Sequence, residues 1–295
     1  MKFVCIGHST YDITLLMDTY PKENLKYSIK SRVEGKGGGA ANSAHLLAYW
    51  NQKPQFISVV GCDSYGKKVI KELKHCGIKT DMIEKRNNYN TTISYIIVNR
   101  ENSSRTIFSY QKDKIDHLNK KTNKIAADII LLDGKFKETA KEIITNNPNS
   151  KSILDADKVN DDTKELGHLV DYIICSKRFA EEFSNKKIDY NDINTLIFCY
   201  DKLKSYFKNT IIITLDEKGS FTKIDNYELI PSIKVKSIDS TGAGDIFHAA
   251  FAYFIGKEYQ LRDAIKYSSI AAALKTTKLG ITNSLPTLDE VLNHD

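Results

Sequence analysis

Six short runs of Ile, Val, Leu and Phe punctuate the chain without polar alternation, at 3–6, 56–60, 129–132, 152–154, 172–175 and 210–215. Strands of this kind are apolar on both faces, as in a parallel sheet covered by helices. Helix-length patterns over 40–50, 66–75, 137–145 and 193–207 separate most of them, and two long apolar helices follow at about 243–255 and 261–276. Strands alternating with helices predict an α/β fold, with a mostly parallel central sheet and helices on both sides.

Two stretches break the alternation. Residues 12–17 and 27–33, then 91–98 and 105–110 around the polar turn 99–104, look like strand pairs with exposed faces and no helix between them. They predict a small antiparallel sheet inserted at about 12–33 and 91–110 into one domain spanning 1–295. A small sheet beside a cleft serves naturally as a lid. No repeat, low-complexity segment or linker divides the chain.

Composition narrows the setting. Hydrophobic residues at 41% and charged residues at 27% fit a compact globular protein. No apolar run approaches the roughly 20 residues that span a bilayer, and the opening MKFVCIGHST reads directly into a strand, so a cytoplasmic protein without a membrane partner is expected. Cys5, Cys62, Cys76, Cys175 and Cys199 show no ligand spacing and read as reduced thiols. The net charge of +6 favours anions, yet the lysines are dispersed among acids without a basic helix, which argues against nucleic acid. The seven histidines show no metal-ligand spacing, and His248 reads as a packing residue.

The chemistry concentrates in two motifs. Asp239-Ser240-Thr241-Gly242-Ala243-Gly244-Asp245 opens the first long apolar helix. Its glycines allow close backbone approach, and a helix N-terminus presents unpaired N–H groups with partial positive charge, which together cradle an anion. Beside a bound phosphate, the Asp245 carboxylate can take a proton from an attacking hydroxyl. The second motif, Gly37-Gly38-Gly39-Ala40-Ala41-Asn42-Ser43-Ala44, leads into an early helix and offers the Asn42 amide to hydroxyls.

Together these motifs resemble the two signatures of the PfkB, or ribokinase-like, carbohydrate kinase family, and the spacing and lid strands agree over nearly the whole chain. The resemblance implies a three-layer αβα sandwich with a β lid, and transfer of the γ-phosphoryl group of ATP to a hydroxyl of a sugar or sugar-like substrate. Asp245 would be the base, and the N–H groups of Gly242, Ala243 and Gly244 the anion hole. Asp12, Gly38 and Asn42 would bind acceptor hydroxyls, and Arg105 resembles a basic lid residue that some members turn towards the substrate. Thr214 and Gly219, with Thr241 and Asn283, would border the nucleotide, although Asp216 stands where the family commonly has glycine. Mg²⁺ and a monovalent cation are the implied ions, and a homodimer through the lid is the implied assembly.

One element departs from the family pattern. Ser176 and Phe179 occupy the Asn and Glu places of an Asn-x-x-Glu element that helps organise Mg²⁺ through water. Glu182, on a similar helical face to Phe179, is the expected substitute, with Glu181 second. A nucleoside kinase of the same fold and a binding protein without turnover are the rival readings. A Rossmann dehydrogenase is disfavoured because no GxGxxG follows the first strand.

Overall fold

The computed structural model describes residues 1–29, 31–110, 115 and 117–294. The chain opens with β1 (Phe3–Ile6), β2 (Thr10–Met17), β3 (Ser31–Gly37), α1 (Gly39–Tyr49), β4 (Gln55–Gly61), α2 (Ser64–His75) and β5 (Ile83–Arg86). After β6 (Thr92–Asn99) and β7 (Arg105–Tyr110), alternation resumes with β8 (Ile129–Leu132), α3 (Lys137–Asn146), β9 (Lys151–Ala156), α4 (Asp161–Gly167), β10 (Tyr172–Ser176) and α5 (Lys177–Ser184). Then come α6 (Ile193–Tyr206), β11 (Thr210–Thr214), β12 (Ser220–Lys223), β13 (Tyr227–Ile230), α7 (Ala243–Gly256), α8 (Leu261–Lys275) and α9 (Leu288–Leu292).

Among the described residues nine strands form the main sheet, in the order β13-β12-β11-β10-β9-β8-β1-β4-β5. Pairing is parallel from β11 to β5, and the β12–β13 hairpin adds an antiparallel edge. Successive side chains point to opposite faces. Phe3 and Cys5 therefore join a core with α1, α2, α7 and α8, while Val4 and Ile6 join a second core with α3, α5 and α6. Burial on both faces explains the unalternating runs, and the result is a three-layer αβα sandwich.

The lid sheet has the order β3-β2-β6-β7. It is mixed rather than antiparallel, because β2 and β6 pair in parallel. Their directions follow from the core: β2 continues from β1 and β6 from β5, and those two strands belong to the parallel part of the main sheet. The strand expected at 27–33 begins later, at Ser31, since pairing runs from Leu16↔Ser31 to Thr10↔Gly37 and carries β3 into the glycine run. Lys30 of that stretch lies outside the described residues. No helix among the described residues is long and apolar enough to cross a membrane.

Strand order reverses at β1, with β4 and β5 on one side and β8 to β11 on the other. Such a switch point opens a crevice beyond the carboxyl ends of the strands.

Candidate active site

Gly7 and His8 leave β1 at the crevice, and Asp133 leaves β8 beside them. The Asp133 carboxylate accepts the N–H groups of His8 at 2.6 Å, Lys135 at 3.2 Å and Ala40 at 3.4 Å, so it ties the two strand ends to the start of α1. Burial pushes its carboxyl up to about 6. A Cβ at Gly7 would lie 2.1 Å from this carboxylate, which explains the glycine.

The glycine run lies where several elements converge. A Cβ at Gly37 would sit 1.9 Å from Asp12 Oδ2, and one at Gly38, whose φ is 98°, would sit 2.3 Å from the His8 carbonyl oxygen. One at Gly39 would stand 3.3 Å from Asp245 Oδ1 and 3.5 Å from Asp133 Cβ. Bare backbone is thus what lets Asp12, Asp133 and Asp245 gather around the N-terminus of α1. Asp12 takes a 2.5 Å hydrogen bond from Thr10 Oγ1, and burial raises it to about 6 against the opposing pull of Thr10 and Lys36.

Asp245 occupies the first turn of α7, whose N-cap, Gly242, has φ 75°. A side chain there would also meet Ile281 Cδ1 at 2.6 Å. Asn42 Nδ2 donates to Asp245 Oδ2 at 2.7 Å, and Ser43 Oγ donates to the Asp245 carbonyl at 3.0 Å. Burial raises the Asp245 carboxyl and the Asn42 hydrogen bond offsets part of that rise. A Cβ at Gly244 would meet nothing within 4 Å, so this turn faces open cleft, whereas the Ala243 N–H is turned towards the Ser240 carbonyl at 3.3 Å.

Of the residues expected to border the nucleotide, Thr214 donates from Oγ1 to the Cys175 carbonyl at 3.3 Å at the end of β11. Asp216, in the place where glycine is common, adopts φ 51°, the left-handed conformation that glycine favours. Gly219 has φ 102°, and a side chain there would lie 2.1 Å from the Ile230 carbonyl. Among the described residues the Thr241 hydroxyl is buried without a hydrogen-bond partner, and Asn283 is exposed after α8.

Arg105 stands near enough for its charge to favour the ionised Asp245 carboxylate. Its Nη1 donates to Ser240 Oγ at 3.0 Å, because the base of the β6–β7 turn lies against residues 237–240, where Ser103 Oγ also donates to the Ser237 carbonyl at 2.6 Å. Phe179 and Glu182 do not share an environment either. Phe179 is buried and stacked on Phe183, whereas Glu182 is exposed. Glu181 is engaged by Lys187 Nζ at 2.9 Å and the Ile188 N–H at 2.9 Å.

Three further groups stand close to the site. Lys36, buried under the glycine run, donates from Nζ to Asn42 Oδ1 at 3.4 Å, and burial lowers it to about 8. Asp155, at the end of β9, and Asp157, just beyond it, stand near Asp245, and Asp155 is raised by burial and by the charges of Asp245, Asp157 and Asp133. The position of Asp133 and Asp155 at the carboxyl ends of strands was the available sequence signal, since open α/β sheets bind ligands there. Lys36 gave no comparable signal, because an isolated lysine ordinarily lies at the surface.

Known proteins are similar to this chain over nearly its whole length. The pattern of the pfkB family of carbohydrate kinases matches residues 1–288. A ribokinase of Staphylococcus aureus is 28% identical over 306 residues, covering 98% of each chain. The crystal structure of a putative ribokinase from Agrobacterium tumefaciens superposes with a TM-score of 0.88 at 23% identity, covering 99% of this chain and 96% of that one. Arabidopsis thaliana ribokinase, solved with ribose and ATP, gives 0.78 at 22% identity, with 99% and 97% covered. With both glycine motifs framing one cleft at the switch point, the chain belongs to the pfkB family of carbohydrate kinases.

Proposed function

We propose that the chain transfers the γ-phosphoryl group of ATP to a hydroxyl of a sugar or sugar-like acceptor, with Asp245 as general base. The observation that carries this reading is a half-buried carboxylate in the first turn of α7, held at 2.7 Å by Asn42 and adjoining the open face of Gly244. A phosphoryl group set against Gly242, Ala243 and Gly244 meets the positive end of the helix and N–H donors, that of Ala243 being shared with the Ser240 carbonyl, which stabilise charge as it spreads over the phosphoryl oxygens. Asp12, Gly38 and Asn42 hold the acceptor so that one hydroxyl faces Asp245. Its oxygen forms the new bond to phosphorus as the bridging P–O bond of ATP breaks; Asp245 takes the proton and ADP leaves. Thr214, Gly219, Thr241 and Asn283 border the nucleotide, and Arg105, joined to Ser240, adds positive charge at the phosphates.

Mg²⁺ fits this cleft through water. Among the described residues no three His, Cys, Asp or Glu side chains converge on a single ion, while Asp155 and Asp157 stand near Asp245. Mg²⁺ commonly keeps several waters and binds through substrate phosphates, so those two carboxylates would accept hydrogen bonds from its waters. When bound, the ion neutralises phosphate charge.

ADP release measured across sugars, sugar acids and nucleosides tests the reading. A sugar should support turnover at least tenfold above nucleosides. Preference for a nucleoside would move the chain to the sister activity, and thermal stabilisation by a sugar without ADP release would make it a binding protein. The lid supports a homodimer in the same reading: Tyr95, Phe108 and Tyr110 are exposed, and the Tyr95↔Phe108 register places all three on one face. Unpaired cysteines and the use of ATP favour the cytoplasm.

A further inference from the structure

The family resemblance allows a monovalent cation, and a desolvated cation near the phosphate-binding turn would need buried oxygen ligands. Asp239 is the fully buried carboxylate at the start of that turn. Its Oδ1 accepts the Thr241 N–H and its Oδ2 the Gly280 N–H, each at 2.8 Å, and its own N–H donates to the Thr276 carbonyl at 3.0 Å. Asp239 therefore clamps the turn that leads to Gly242 and Gly244 onto the loop after α8.

A cation is already there. Lys275, the last residue of α8, is 0% exposed, a burial that lysine rarely tolerates without a partner. Its Nζ donates to the Asp239 carbonyl at 3.0 Å and lies 3.9 Å from Asp239 Oδ2. We infer that the Lys275 ammonium is a built-in monovalent cation behind the phosphate-binding turn, so that this protein has no need of a free potassium ion there.

The chemistry matches the role. An ammonium is comparable in size to potassium, binds carbonyl and carboxylate oxygens, and costs no association entropy because it is tethered. Burial lowers Lys275 to about 8 while Asp239 pulls it back up, so the charge persists at pH 7. Lys275 does not face the acceptor. It is a positioning residue, acting through Asp239 on the turn that carries the anion hole. A free ion against the same two oxygens would have to displace Nζ and would meet its like charge.

Two measurements test this, and only the first rests on the kinase reading. Wild-type turnover should change by less than about twofold among potassium, sodium and tetramethylammonium chlorides at constant ionic strength. Wild-type melting temperature should likewise be the same in all three. Lys275→Ala should be slower and less stable, and potassium or ammonium, but not tetramethylammonium, should raise its melting temperature by about 4 °C or more and recover turnover at least in part. Potassium-specific activation or stabilisation of the wild type would overturn the inference. So would a folded Lys275→Ala that ignores potassium and ammonium. If that variant does not fold, the wild-type melting series alone decides. If no acceptor supports ADP release, the melting series still reports on Lys275 while the kinase reading fails separately.

Discussion

Asn42 donates its side-chain amide to Asp245 Oδ2 across 2.7 Å, joining residues 203 positions apart. The amide's orientation is set from behind. An ammonium can only donate, so Lys36 Nζ holds Asn42 Oδ1 and leaves Nδ2 for Asp245. The other carboxylate oxygen, Oδ1, lies towards Gly39. One oxygen is thereby occupied, and in the proposed mechanism the other takes the acceptor proton.

Asp245→Asn should lower kcat by roughly 10² or more with little change in nucleotide affinity, because it removes the base while an amide oxygen can still accept from Asn42. Stopped or single-turnover kinetics with calorimetric nucleotide titration would check it. Near-normal turnover would remove Asp245 from the chemistry.

Asn42→Asp replaces a donor with a second carboxylate beside Asp245. Like charges at such distance raise the carboxyl that must be ionised, so the acid limb of the kcat/KM profile should move up by about one pH unit or more. An unmoved limb would show that the Asn42 hydrogen bond does not govern the base.

In the proposed mechanism Asp12 contacts the acceptor in both the ground and transition states, so Asp12→Ala should raise KM more than it lowers kcat. Its carboxyl is raised to about 6, so it gains a proton as pH falls through that value, and burial shifts Asp245 in the same direction. The wild-type kcat/KM should therefore decline below about pH 6, with the charged forms active above it. A profile flat down to pH 5 would contradict these assignments.

The contacts of Arg105 and Ser103 latch the lid turn onto residues 237–240. Acceptor plus a nucleotide analogue should slow hydrogen exchange in 92–99, 105–110 and 237–240 together. Arg105→Ala should lower kcat about tenfold with a smaller effect on acceptor KM, the loss of one hydrogen bond to a charged group. A pure acceptor-KM effect would return Arg105 to the sugar side.

Glu182→Gln distinguishes the two ways of holding Mg²⁺. With Phe179 in the core and Glu182 exposed, the Mg²⁺ concentration for half-maximal rate should stay the same, while Asp155→Asn should raise it severalfold. A rise for Glu182→Gln would assign the ion to α5.

Much of the scaffold was legible because its signals are local. The run 3–6 is β1 to the residue, and 129–132 is β8. Fully buried strands declare themselves by composition, and the helices between them by length. Short or polar elements were missed: α4 spans only 7 residues after its N-cap Asn160, and β5 alternates too briefly to read. The lid strands were visible, but their parallel β2–β6 pairing was not, since direction comes from which core strands they continue.

The sequence by itself determined the two glycine motifs, Asp245 at the head of an apolar helix, and the alternation that dictates a parallel sheet, because each depends on neighbours within a turn or two. Tertiary structure alone decided that Asp133 ties the strand ends at the switch point to α1, that Arg105 meets Ser240, and that Lys36 and Lys275 are buried behind Asn42 and Asp239. The physical reason is common to all four. A charged side chain has the same local sequence signal whether it faces water or a buried oxygen, and only long-range packing determines which it meets.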